Sequence, residues 1–269
     1  IVPDLDHPFF FFFLKNIEIQ LYRQGYKTMV CNAVGVSDRE REYLDMLERN
    51  IVDGIITGSH CLDGEEYVRH EKPIVSIDRD FGPEIPIVGS DHMMGGRMAA
   101  ELMIRDGRKH VLQICGVSPH ILANERHLAF QKTLEEQGVE VLTETMDWNV
   151  FDWGAFHKTA LKIMEKHPQI DGIFSGDLGA VACMNMARQR GMNVPEDISL
   201  VGFDATSVTQ MVSPQLTAIR QNVGLLAEVS VNTLLDQIEQ RRSILHRQIL
   251  SVDVCYGGTT KAGQAKQEI

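Results

Sequence analysis

An α/β fold of two similar lobes, each built on a parallel sheet, is what the 269 residues predict. Three observations carry that expectation. Short apolar runs alternate with stretches of helical period, the signature of βαβ units. The alternation begins afresh near Val111. An echo links the halves: Ile51-Val52-Asp53-Gly54-Ile55-Ile56 leaves a helix to open a strand, and Gln169-Ile170-Asp171-Gly172-Ile173-Phe174 does the same later. The length also exceeds one ordinary core and suits two lobes.

In chain order, Ile1 and Val2 open a strand. Phe10, Leu14, Ile17 and Leu21 recur at helical spacing, a buried face ended at Gly25. Residues 28–31 read as the second strand. Ser37-Asp38-Arg39-Glu40 has the spacing of a capping box, ahead of Leu44, Leu47 and Ile51 on one helix face. Residues 54–57 and 74–77 are the next strands, with a short helix around 65–70 between them. Residues 87–88 lead into a helix over 95–106 that stops at Gly107. The second half offers strands at 111–115, 139–143, 172–175 and 199–203, and helices at 125–137, 153–166 and 178–190. A long helix at 223–240 and a last strand at 248–254 close the chain.

Composition narrows the function classes. At 43% hydrophobic and 23% charged residues, the chain is ordinary for a globular protein. A formal charge of −11 argues against an unaided grip on a nucleic-acid backbone, which needs clustered Lys and Arg. The five cysteines are widely spaced, with no C-x-x-C, which fits a reduced, cytoplasmic setting. No apolar run reaches the roughly 18–20 residues of a membrane helix; the pentad at 9–13 is far shorter. Without a basic stretch ahead of an apolar one, no secretory signal is expected. Opening on Ile1 instead of Met, the chain reads as a fragment with a natural start upstream.

Catalytic signatures are missing. There is no G-x-S-x-G, no G-x-x-x-x-G-K-[ST] and no G-x-G-x-x-G after a strand. No H-E-x-x-H occurs, and His60-Cys61 is a lone pair without metal-ligand spacing. Glu65-Glu66 and Glu135-Glu136 point about 100° apart on helices and read as solvated faces. A non-enzyme without metal or cofactor is the expectation. Asp204 stands out by position, at the carboxyl end of the strand that follows the Pro195 turn. Ligands of open α/β sheets bind beyond such ends, although Asp also caps turns well. Position alone leaves both readings open.

Nine motifs, taken together, resemble one family. They are Ile-Val-Pro-Asp with Pro8-Phe9-Phe10, Gly25-Tyr26, Asp38-Arg39-Glu40-Arg41-Glu42-Tyr43-Leu44, Val52-Asp53-Gly54-Ile55-Ile56, Gly95-Gly96-Arg97-Met98-Ala99, Glu125-Arg126 with Ala129-Phe130, Val194-Pro195-Glu196-Asp197-Ile198-Ser199, Val201-Gly202-Phe203-Asp204, and Leu216-Thr217-Ala218-Ile219-Arg220-Gln221. In this order they are similar to the effector-binding core of LacI/GalR transcription factors, which share the type I periplasmic-binding-protein fold.

The resemblance implies two Rossmann-like lobes joined by three crossovers, near 106–109, 219–222 and 249–252, with a ligand cleft between them. The lobes would be 1–106 plus 222–250, and 107–221 plus 251–269. It also implies a homodimer that meets operator DNA through an N-terminal helix-turn-helix, a module these residues do not contain. Asp204, Arg126, Asp91 and Trp148, as polar clamps and a stacking face, favour a sugar or phosphosugar as the effector and leave a purine or another small metabolite open; its binding would alter operator affinity. By position, Phe9 and Phe10 match an aromatic rim, Arg126 a clamp for hydroxyls or a carboxylate, and Trp148 a stacking platform. Asp204, Gln221, Arg79 (with Asp78) and Asp91 match polar residues facing the cleft. Two departures are Gly176, where relatives commonly carry Asn, and His7, in place of a frequent Asn. A stand-alone solute-binding protein on the same fold is the rival reading.

Overall fold

The computed structural model describes residues 1–59, 61–70, 72–116, 121–146, 152–240 and 245–267. The chain forms two compact units. The first is Ile1–Ser90, His120–Leu122 and Asn222–Leu250; the second is Asp91–Pro119, Ala123–Gln221 and Ser251–Ile269.

The first unit holds a four-stranded sheet of β1 (Ile55–Thr57), β2 (Ile74–Ile77), β3 (Ile87–Ser90) and β9 (Arg247–Leu250), in that order and all parallel. Alternate residues of β2 feed two cores, as a pleated strand requires. Val75 and Ile77 join Phe9, Phe13, Ile17 and Leu21 of α1 (Pro8–Arg23) and Leu226, Val231 and Leu234 of α8 (Val223–Ile238). Ile74 joins Leu44 and Leu47 of α2 (Ser37–Glu48), Tyr67 of α3 (Gly64–Val68) and Phe81. Helices thus cover both faces, the usual state of a parallel sheet.

Three local expectations for this unit are corrected. The buried row of α1 is Phe9, Phe13, Ile17 and Leu21, not the row through Phe10 and Leu14. Residues 28–31 form no strand; Val2 alone bridges Asn32, with Val2 N donating to Cys31 O at 2.9 Å. Pro3 has no N–H to extend that pairing, and the chain turns into α1 at Pro8. The capping box does not form either: the N-cap of α2 is Val36, without a side-chain cap, and Glu40 is buried.

The second unit holds a six-stranded sheet ordered β10 (Asp253–Cys255), β8 (Thr217–Arg220), β7 (Ser199–Asp204), β6 (Gly172–Phe174), β4 (His110–Gly116) and β5 (Glu140–Met146). All neighbours are parallel except β10 and β8. Leu112, Ile173 and Leu200 pack on α6 (Trp153–Lys166) and α7 (Asp177–Gln189). Val111, Phe174, Val201 and Phe203 pack on α4 (His92–Arg105) and α5 (Glu125–Glu135).

The crossing expected near 106–109 is placed after Ser90, because Ala99, Ala100, Leu102 and Met103 of α4 share a core with Phe130 and Val201. The strand expected over 248–254 is two strands, β9 in one sheet and β10 in the other. β8 and α9 (Lys261–Gln267) were not evident as elements in the sequence.

Candidate functional site

The carboxyl ends of β6, β7 and β8 gather a polar cluster in the second unit. β7 is apolar enough to be buried along its whole length, and it ends on the buried Asp204. Asp204 pairs in register with Arg220, so Gln221 emerges beside it. Gln221 Nε2 donates to Asp204 Oδ1 at 2.7 Å. Asp204 and Ala205 have φ of 103° and 50°, conformations that non-glycine residues adopt only at a cost of order 1–3 kcal/mol each.

Asp177, first residue of α7, holds that turn. Its Oδ2 accepts from Thr206 N at 2.7 Å and Thr206 Oγ1 at 2.8 Å. Gly202 makes room for it, since an added Cβ would lie 2.7 Å from Asp177 Oδ1. Burial, and then the negative charge of Asp204, push the Asp177 carboxyl well above the usual carboxylate range.

Arg126 enters the same unit from the start of α5. Its guanidinium lies 4.3 Å over the ring of Phe203, the residue before Asp204. His92, opening α4, stacks on that ring at 5.5 Å. The pair Gly95-Gly96 permits this packing: a Cβ on Gly95 would meet Phe203 at 2.7 Å, and one on Gly96 would meet Arg126 O at 2.0 Å. Arg126 Nε donates to His127 Nε2 at 3.4 Å, and His127 Nδ1 bonds Gln113 Oε1 at 3.1 Å. Burial, Arg126 and His92, in that order, hold the His127 imidazole well below its ordinary range.

The first unit presents its own carboxyl edge. Asp78 follows β2 with φ of 55°, and its Oδ1 accepts from Ser90 N at 3.1 Å. Gly89 is required there, because a Cβ would lie 2.5 Å from that oxygen. Arg79, half-buried, sits 4.8 Å over the Phe81 ring, with Nη1 donating to Ser59 O at 3.4 Å. Burial lowers the Arg79 pKa from its ordinary value. Phe10 is half-buried and its ring covers Gly58, where a Cβ would lie 2.7 Å away.

The candidates therefore separate. Arg126, Asp204 and Gln221 come together in the second unit; Arg79 and Phe10 share an edge of the first. Phe9 lies in the core of α1, stacked on Phe13 at 6.0 Å, and supplies no exposed rim. Asp91 caps α4, its Oδ1 accepting from Met94 N at 2.7 Å. Trp148 lies outside the described residues. His7, the N-cap of α1, accepts from Phe9 N at 3.2 Å, the task an Asn would perform. No local sequence signal marks Asp177, His127 or Glu40 as site residues. Among the described residues, no group has the makings of a metal site and no helix is long and apolar enough to cross a membrane.

A family model described as a periplasmic binding protein-like domain matches residues 100–260. The sucrose operon repressor of Streptococcus mutans is 34% identical over 243 residues, 90% of this chain and 74% of that protein. The ribose operon repressor of Halalkalibacterium halodurans is 31% identical over 265 residues, 98% of this chain and 79% of that one. Among solved structures, a periplasmic binding protein/LacI transcriptional regulator from Alkaliphilus metalliredigens, complexed with D-xylulofuranose, superposes with a TM-score of 0.87 at 25% identity over 96% of each chain.

Proposed function

The chain belongs to the LacI family of transcriptional repressors, as a periplasmic binding protein-like core, and on that premise we propose that it binds a sugar-class effector whose occupancy alters operator affinity. The observation that carries this reading is the trio Asp204, Gln221 and Arg126 at one strand edge. A sugar hydroxyl both donates and accepts. A carboxylate accepts a hydrogen bond from it, a guanidinium or amide donates one to it, and an aromatic face covers the C–H side of the ring. Arg79 and Phe10 add the same chemistry in the first unit, and Trp148 and Asp91 complete the effector set. The protein acts as a cytoplasmic homodimer without catalysis of its own, and it reaches operator DNA through an N-terminal domain outside these residues. The names of the two relatives, both operon repressors, favour the regulator over a stand-alone solute-binding protein.

The direct test is calorimetry against ribose, sucrose, their phosphates and adenine. A ligand at a hundredfold its Kd adds about 2.7 kcal/mol of stability, visible as a thermal shift. Arg126→Ala and Asp204→Ala should each weaken a sugar that binds the wild type by tenfold or more. Retention within threefold by both variants would overturn the assignment.

A further inference from the structure

Glu40 is fully buried on α2, an unusual place for a carboxylate unless donors surround it. They do. Its Oε1 accepts from the Tyr67 hydroxyl, and its Oε2 from the Ser59 hydroxyl and from Cys61 N at 3.2 Å. The Tyr67 hydroxyl also lies 3.0 Å from Thr57 Oγ1, which accepts from Ser59 N at 3.3 Å. One carboxylate thus ties the loop leaving β1 to α3.

Two arms run from this knot to Arg79. Ser59 O accepts from Arg79 Nη1 at 3.4 Å. The Tyr67 ring stacks on Phe81 at 4.1 Å, and Phe81 carries the Arg79 guanidinium at 4.8 Å. The Arg79 backbone is fixed separately, its O accepting from Ser76 Oγ at 2.6 Å. Both supports of the guanidinium therefore begin at Glu40.

We propose that Glu40 is a positioning residue for the effector, acting through Ser59 and the Tyr67–Phe81 stack to hold Arg79 at the carboxyl edge of the first unit's sheet. This rests on the sugar-effector reading above. A long, flexible side chain loses less freedom on binding when it is already pinned, and the gain appears as affinity. The buried carboxylate also places a negative charge behind a half-buried cation, which a neutral amide could not do.

Two measurements on the whole chain test it. The first is a double-mutant cycle read by calorimetry with ribose and sucrose. Tyr67→Phe removes one hydroxyl at constant shape, and Glu40→Gln removes the charge. Each should weaken the sugar that binds the wild type at least tenfold, but less than twofold once Arg79→Ala is present. Equal losses in both backgrounds would mean ordinary structural support and would overturn the proposal.

The second needs no ligand. The Arg79 Nε–Hε resonance, assigned by its loss in Arg79→Lys, should stand apart from the bulk arginine signals in wild type. In Tyr67→Phe it should move towards them while the backbone spectrum stays folded; an unmoved signal overturns the proposal even if Glu40→Gln fails to fold. A wild type that binds none of the sugars refutes the effector reading, and the resonance still decides the role of Glu40.

Discussion

Gln221 hands its side-chain amide to Asp204 across 2.7 Å, seventeen residues apart in sequence but adjacent because β8 runs parallel to β7. The bond fixes one carboxylate oxygen at a strand end whose backbone is already in a left-handed conformation. Burial first, and the charge of Asp204 second, raise the pKa of neighbouring Asp177.

Replacing Asp204 with Asn should separate binding from folding. Asn tolerates positive φ at least as well as Asp and removes the like-charge partner of Asp177. The melting temperature should therefore hold or rise. Sugar affinity should fall about tenfold or more, since a hydrogen bond to a charged acceptor contributes roughly 1.5–3 kcal/mol. Calorimetry of melting and of ribose or sucrose binding on one preparation measures both. A parallel loss of stability and affinity would mean that the carboxylate is structural.

Gly96→Ala should be costly for a reason visible at one atom. Its Cβ would lie 2.0 Å from Arg126 O and 2.8 Å from Arg126 C, so α4 must move off α5 or displace Arg126. Overpacking of this kind costs about 1–3 kcal/mol or more, and each kcal/mol lowers Tm by roughly 2–4 °C in a chain of this size. Gly176→Ala is the control. At φ of −57°, with nothing within 4 Å of the added Cβ, it meets no clash and should lose no more than the roughly 1 kcal/mol of a poorer N-cap on α7. Differential scanning calorimetry of the two variants checks the contrast.

What the sequence conveyed follows from how local each signal is. The βα alternation is a short-range pattern, so most strands and helices could be read from it. Five consecutive phenylalanines have no period, which is why the buried face of α1 came out one residue away, at Phe9 instead of Phe10. The S-x-x-E spacing at Ser37–Glu40 is also local, but the partners that claim Glu40 lie 19 and 27 residues on, at Ser59 and Tyr67. Nothing in an apolar alternation announces a change of sheet, so 248–254 read as one strand. Asp204 was legible because strand ends are. Asp177 and His127 were not, because their importance comes from burial beside Asp204 and Arg126.

His127 should make the fold acid-sensitive. Its Nε2 accepts from Arg126 and its Nδ1 faces a carbonyl oxygen, an arrangement that only the neutral ring satisfies. Its folded pKa is depressed well below the ordinary value, so below about pH 6.5 the unfolded chain takes up a proton that the native state refuses. Stability is complete above that pH and falls as the pH drops towards the depressed value. His127→Gln keeps polar atoms in place without titrating. It should flatten the Tm profile between pH 7 and roughly pH 5; an unchanged slope would assign the acid limb to other groups.

Asp177 pulls the other way. Its folded pKa is raised, by burial first and Asp204 second, so the native state keeps a proton that the unfolded chain releases above about pH 4. The associated stability is complete below that pH and is lost as the pH climbs through the raised value. Over the interval where both groups are active, this slope opposes that of His127, so the wild-type acid limb is shallower than His127 alone would make it. Asp177→Asn can still accept from Thr206 through its carbonyl oxygen and never ionises. Its Tm should therefore match or exceed wild type at neutral pH, with the steeper His127 limb exposed below. A variant less stable than wild type at neutral pH, with the same slope, would mean that Asp177 is ionised in the native state and that Thr206 and the turn beyond Asp204 depend on its charge.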